Sequence, residues 1–153
     1  MKNQTSKKFV TRLPYETLEK VQAANNVKDR VKILQEDATF ALKTILQVNF
    51  REDITFDFPE GAPPYKKDES NVPGQQYRSI EKSISSLKNL VAQNKRVPTF
   101  KKEAGLIRLL ESVHPKDAEI LIAMKDKDLK SLYKGITLST VQKAFPNLKL
   151  VAE

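Results

Sequence analysis

The sequence predicts an all-α fold, a compact multi-helix domain of about six to eight helices with one extended, proline-rich central segment. Three observations carry that expectation. Apolar residues recur three and four apart along most of the chain, the spacing that lines one face of a helix. A two-residue alternation stands alone at Ile54, Phe56 and Phe58. Pro59, Gly61, Pro63, Pro64, Pro73 and Gly74 gather in a single stretch. With 153 residues the chain can bury roughly two thirds of its unfolded surface in one core.

Residues 1–12 are polar and basic without a period, and are expected as a flexible arm. Residues 13–153 are expected as a single helical domain: helices and an extended strip over 13–58, a proline-rich loop over 59–75, and further helices over 76–153. Pro14 opens a short helix marked by Leu18 and Val21, with Asn25-Asn26 as its stop. Val27, Val31, Leu34, Leu42, Ile45 and Leu46 then keep helical spacing with a break near Asp37, so residues 15–49 hold three helices, or two with one broken. A lone strand cannot make a sheet, so residues 54–58 are expected to lie over the helices with their rings turned inward. The prolines that follow lack backbone donors and favour extended backbone, which predicts a surface loop, functional or mobile given its length.

From Gln76 to Gln93, Tyr77, Ile80, Ile84, Leu87 and Val91 predict one α-helix. Thr99 is a candidate N-cap for the next, although Lys101 and Lys102 then stand at the end where the helix dipole disfavours cations. Leu106, Ile107, Leu110 and Val113 mark that helix, and Ile120 to Met124 are apolar on nearly every side of another, which must be enclosed. Between the two, Pro115 suits a first helical turn and His114 stands where a cap is needed. The chain is expected to be organised around this pair. Leu129, Leu132 and Tyr133 describe a short helix ended by Lys134-Gly135; Thr137 or Ser139 caps a last one with Val141, Ala144 and Phe145 inward.

The absence of cysteine excludes disulfides, thiolate nucleophiles and thiolate metal sites, and His114 is the one imidazole. Gly61, Gly74, Gly105 and Gly135 are scattered, so there is no phosphate-binding glycine loop. Asp117, Glu119, Asp126 and Asp128 read more simply as helix-start and turn charges than as magnesium ligands. No enzyme activity, cofactor or metal is expected. The longest apolar run falls far short of the ~20 residues of a membrane span, and the N-terminus lacks the apolar core of a secretory signal, which points to the cytoplasm and to no membrane partner.

Net charge is +8, and the excess gathers in residues 78–108. A cation-rich surface attracts polyanions without reading their sequence. Arg78, Lys82, Lys88, Lys95, Arg96, Lys101 and Lys102 are therefore the candidate contacts to DNA or RNA phosphates, with Arg108 part of the same excess. A solvated face serving solubility is the plainer alternative. Tyr77 and Phe100 are the aromatics there for stacking on single strands, Tyr77 being expected in the apolar seam. A second candidate surface is a protein-binding loop at Pro63, Pro64, Tyr65 and Lys66, which would make the chain a module that adapts or inhibits another machine.

The segments PEGAPPYK (59–66), LLESVHPKDAEILIAMKDK (109–127) and LYKGITLSTVQKAFPNL (132–148) resemble a family of small, largely uncharacterised proteins of contractile-tailed, myovirus-type bacteriophages. The resemblance spans most of the chain after residue 13 and implies the same succession of helices, proline-rich loop and C-terminal helices. It implies a phage protein made in an infected bacterium and attaches no activity to any residue; an accessory factor in that cytoplasm is the expected role, with a minor virion component as a further alternative.

Overall fold

The computed structural model describes residues 13–66 and 80–151. The expected arm, Arg78, Tyr77 and residues 67–75 of the proline-rich loop lie outside the described residues. Within them the fold is all-helical: α1 (Pro14–Ala23), α2 (Val27–Glu36), α3 (Phe40–Phe50), α4 (Ile80–Ser83) running into a 3-10 helix (Ile84–Asn89), α5 (Thr99–Ser112), α6 (Pro115–Lys125), α7 (Leu129–Leu132) and α8 (Leu138–Ala144).

Short polar residues start three of these helices by accepting from an otherwise orphaned amide. Asn26 accepts from Asp29 N at 2.9 Å, Thr39 Oγ1 from Leu42 N at 3.1 Å, and Thr137 Oγ1 from Thr140 N at 3.3 Å. At α6 the cap is His114, whose Nδ1 accepts from Lys116 N at 3.1 Å while Pro115 fills the first helical position. The start of α5 differs from expectation. Extended Pro98 precedes it, Thr99 is its first helical residue, and no side chain caps it.

Helix α6 is the hub, touching α1, α3, α5 and α7. Ala118, Ile120, Leu121 and Met124 are almost fully buried, as an apolar circumference requires. Leu106, Leu109 and Leu110 of α5 and Leu42, Ile45 and Leu46 of α3 extend the same core, each such side chain contributing roughly 1.5–3 kcal/mol by leaving water. Helix α2 packs between α1 and α8, joining the two ends of the described chain.

The alternating strip behaves as its pattern requires: Ile54, Phe56 and Phe58 are half-buried against the core while Thr55 and Asp57 face solvent. One antiparallel bridge pairs Phe56 with Val91, and Ala92 N donates to Thr55 O at 2.7 Å. The predicted α-helix over 76–93 is corrected, because α-helical geometry ends at Ser83. Beyond it Ile84, Leu87 and Leu90 are buried at intervals of three, the period of a 3-10 helix, and Ser86 Oγ donates to Ser83 O at 2.7 Å in competition with the α pattern.

The first part of the proline-rich loop is fastened to the α5–α6 pair. Lys125 Nζ donates to Pro59 O at 2.9 Å, Gly61 N to Asp126 Oδ2 at 2.9 Å, and Lys66 N to Glu111 Oε2 at 2.7 Å. After α6 the chain turns through Lys127, whose φ of 61° is left-handed. Its ammonium donates to Val48 O and Arg51 O, carbonyls at the C-terminal end of α3, where a cation also suits the helix dipole.

Candidate nucleic-acid interface

A groove of about 730 Å3 runs between the 3-10 segment and α5. Lys101, Gly105, Arg108 and Ser112 line its α5 side, stepping by four, three and four along one helical face. Lys82, Ser83, Ser86 and Asn89 line the opposite side, with Leu90 and Leu109 also in the wall. A Cβ on Gly105 would stand 3.1 Å from Leu90 Cδ2, so glycine there permits the close approach of the two walls.

The groove is positive and its cations are available. Lys82, Lys101 and Arg108 form no ion pair with any described residue. Glu111, the acid in the wall, accepts from Lys66 N. Ser86 and Ser112 spend their hydroxyl protons on the carbonyls of Ser83 and Leu109, so donors for an anion come chiefly from the two lysines, the arginine and Asn89.

Of the residues singled out by charge, Lys82 and Lys101 are brought together here, and Arg108 joins them. Lys88, Lys95 and Arg96 are exposed on the 3-10 helix and the connector, outside the groove lining. Lys102 is a correction. It is 2% exposed, its Nζ donates to Val91 O at 2.9 Å, and it lies 3.9 Å from Asp57 Oδ2. Steps of four, three and four carry position 102 onto 106, 109 and 113, all buried, so its stem enters the core and its ammonium fastens the strip and connector to α5. The neighbouring aromatic, Phe100, is 69% exposed.

On the loop, Pro64 and Lys66 are exposed, and Pro63 and Pro64 both line a smaller cavity of about 250 Å3 with Phe58, Leu106 and Ile107. Tyr65 is withdrawn from the expected contact surface: it packs on the core, and its hydroxyl is buried without a hydrogen-bond partner among the described residues. Burial and the charge of Glu119 raise its phenol above the ordinary value.

The acidic residues are dispersed among structural duties, and among the described residues no three His, Asp or Glu side chains are grouped to hold a metal ion. Asp117 is 1% exposed and accepts from Tyr15 N at 3.0 Å; burial pushes its carboxyl up to about 6. His114 stacks on Tyr15 with ring centroids 4.4 Å apart, and burial followed by the charge of Lys116 lowers its pKa. No described helix is long and apolar enough to cross a membrane.

The model of one protein family, described as a family of unknown function (DUF6433), matches residues 17–131, from within α1 to within α7. No curated protein and no solved structure matches the chain.

Proposed function

The chain belongs to DUF6433, a family of unknown function, and from that premise we propose that it is a non-enzymatic nucleic-acid-binding protein that grips backbone phosphates in the groove between the 3-10 segment and α5. The observation that carries this reading is the convergence of Lys82, Lys101 and Arg108, three cations without ion-pair partners among the described residues, on one groove. Such cations displace condensed counterions from a phosphate chain, so the affinity depends on salt. The resemblance to contractile-tailed phage proteins supports a setting in the cytoplasm of an infected bacterium.

Anisotropy titrations of a labelled oligonucleotide across a salt series test the reading. Three phosphate contacts predict a slope of log affinity on log salt of about −2 to −3. A triple variant, Lys82→Gln, Lys101→Gln and Arg108→Gln, flattens it toward zero. No binding at low salt by the unmodified chain removes the proposal.

A second reading, a protein-binding module, is favoured by the fastening of residues 59–66, which presents Pro64 and Lys66 on a preformed surface. A protein partner retained on the immobilised chain after nuclease treatment, and lost with Pro64→Ala and Lys66→Glu, is its signature.

A further inference from the structure

We propose that Phe100 is a base-stacking platform and that the groove it adjoins selects single-stranded nucleic acid over duplex. This rests on the phosphate-binding reading and adds to it which form of nucleic acid is held.

Phe100 is the most exposed of the large apolar side chains among the described residues, at 69%. A phenyl ring left in water forgoes the free energy that burying it would bring. Its surroundings separate it from the other exposed aromatic. Phe40, at 67% exposed, begins α3 beside the Glu81 carboxylate, which accepts from Ala41 N at 3.1 Å, and Lys43 in the next turn is directed to the Phe145 ring at 5.4 Å. Phe100 instead lies in sequence between two residues that line the groove, Val97 and Lys101, outside the lining itself, and follows the exposed cations Lys95 and Arg96, with exposed Glu103 the one acid in the next turn. Among the described residues from 80 to 112 it is the one large apolar side chain that is exposed, whereas an apolar protein interface requires a contiguous patch. The complement of one exposed ring in a segment where exposed cations (Lys95, Arg96, Lys101) outnumber the exposed acid (Glu103) is a polyanion that carries flat apolar faces. A duplex hides those faces in its stack, whereas a single strand offers each base to a ring and its phosphates to the neighbouring cations. Stacking tolerates any base, so selection is for strandedness and not for sequence.

The test compares the full chain with Phe100→Ala and Phe100→Trp on labelled oligo-dT and oligo-rU and on a DNA duplex of equal length, at several salt concentrations. We expect Phe100→Ala to weaken single-strand binding by about 5- to 100-fold, with an unchanged salt slope and little effect on duplex. Phe100→Trp restores the affinity. Because the chain has no tryptophan, that variant also carries a lone indole whose emission is quenched when a base stacks on it. The dT and rU arms distinguish DNA from RNA as the source of the strand, and a loss on either supports the proposal. Equal losses on strand and duplex, no loss on any, or an indole unquenched at saturation overturn the stacking role while leaving phosphate binding intact. Failure of the unmodified chain to bind any oligonucleotide at low salt overturns both.

Discussion

Adjacent lysines at the start of α5 have opposite duties. Lys101 is exposed in the groove, and Lys102 is buried against Val91 O. Replacing Lys101 by Gln is expected to leave the melting temperature in place and to reduce the salt slope of strand binding by about 0.7–0.9. Replacing Lys102 by Met keeps the stem but removes one of the two donors to Val91 O, which Asn94 N still serves at 3.1 Å, an expected loss of about 0.5–1.5 kcal/mol in denaturant unfolding with the salt slope preserved. Asp117 provides a second test. Its carboxyl rises from 3.8 to about 6 through burial, so the folded state binds the proton more tightly than the unfolded one and stability falls as pH rises through that interval. Asp117→Asn keeps an oxygen for Tyr15 N and has no proton to lose. Its melting temperature relative to the parent chain should therefore climb between about pH 4 and 6 and level off above, with a stability difference of up to about 3 kcal/mol. A flat difference across that range would contradict the burial argument. The sequence disclosed His114 as a cap because histidine stood immediately before a helix-start proline. It also holds the signal for Lys102, whose position falls on the apolar stripe of its own helix, a placement that the density of charge along the chain does not resolve.

Among the elements, what local spacing governs was legible. Three N-terminal helices, the strip at 54–58 and the short helices after Met124 follow from periodicity and turn residues. The stretch from 84 to 90 departs from the expected α-helix because mixed steps of three and four are compatible with α, while burial at 84, 87 and 90 selects a tighter winding. The hydrogen bonds of a 3-10 turn have poorer geometry, and the segment lies at the groove's edge, so amides over 84–89 should exchange with deuterium faster than those over 120–124 in native-state measurements. Comparable protection of both stretches would count against this account. The groove itself was half legible. Lys82 and Lys101 stood out by composition, but their convergence depends on Gly105 admitting Leu90 beside α5, a contact between segments that no local pattern encodes.

For the molecule as a whole, the greasy pair α5–α6 was the readable centre, since a helix apolar on all sides has to be wrapped. Which helices wrap it was not readable, because the packing of α2 on α8 and of α1 on α6 joins residues about a hundred positions apart. Truncating the hub should be felt globally: Leu121→Ala, at 1% exposure, is expected to cost about 2–5 kcal/mol in chemical unfolding. That loss should come without a change in the salt slope of strand binding, which reports on the groove. The same long-range contacts have a further consequence. Helices before residue 66 and after residue 80 interlock through α2 with α8 and α3 with α6, so the covalent link between the halves is not what holds them in register. A protease nick between them should leave two fragments that co-migrate, and the two pieces expressed separately should reassemble when mixed.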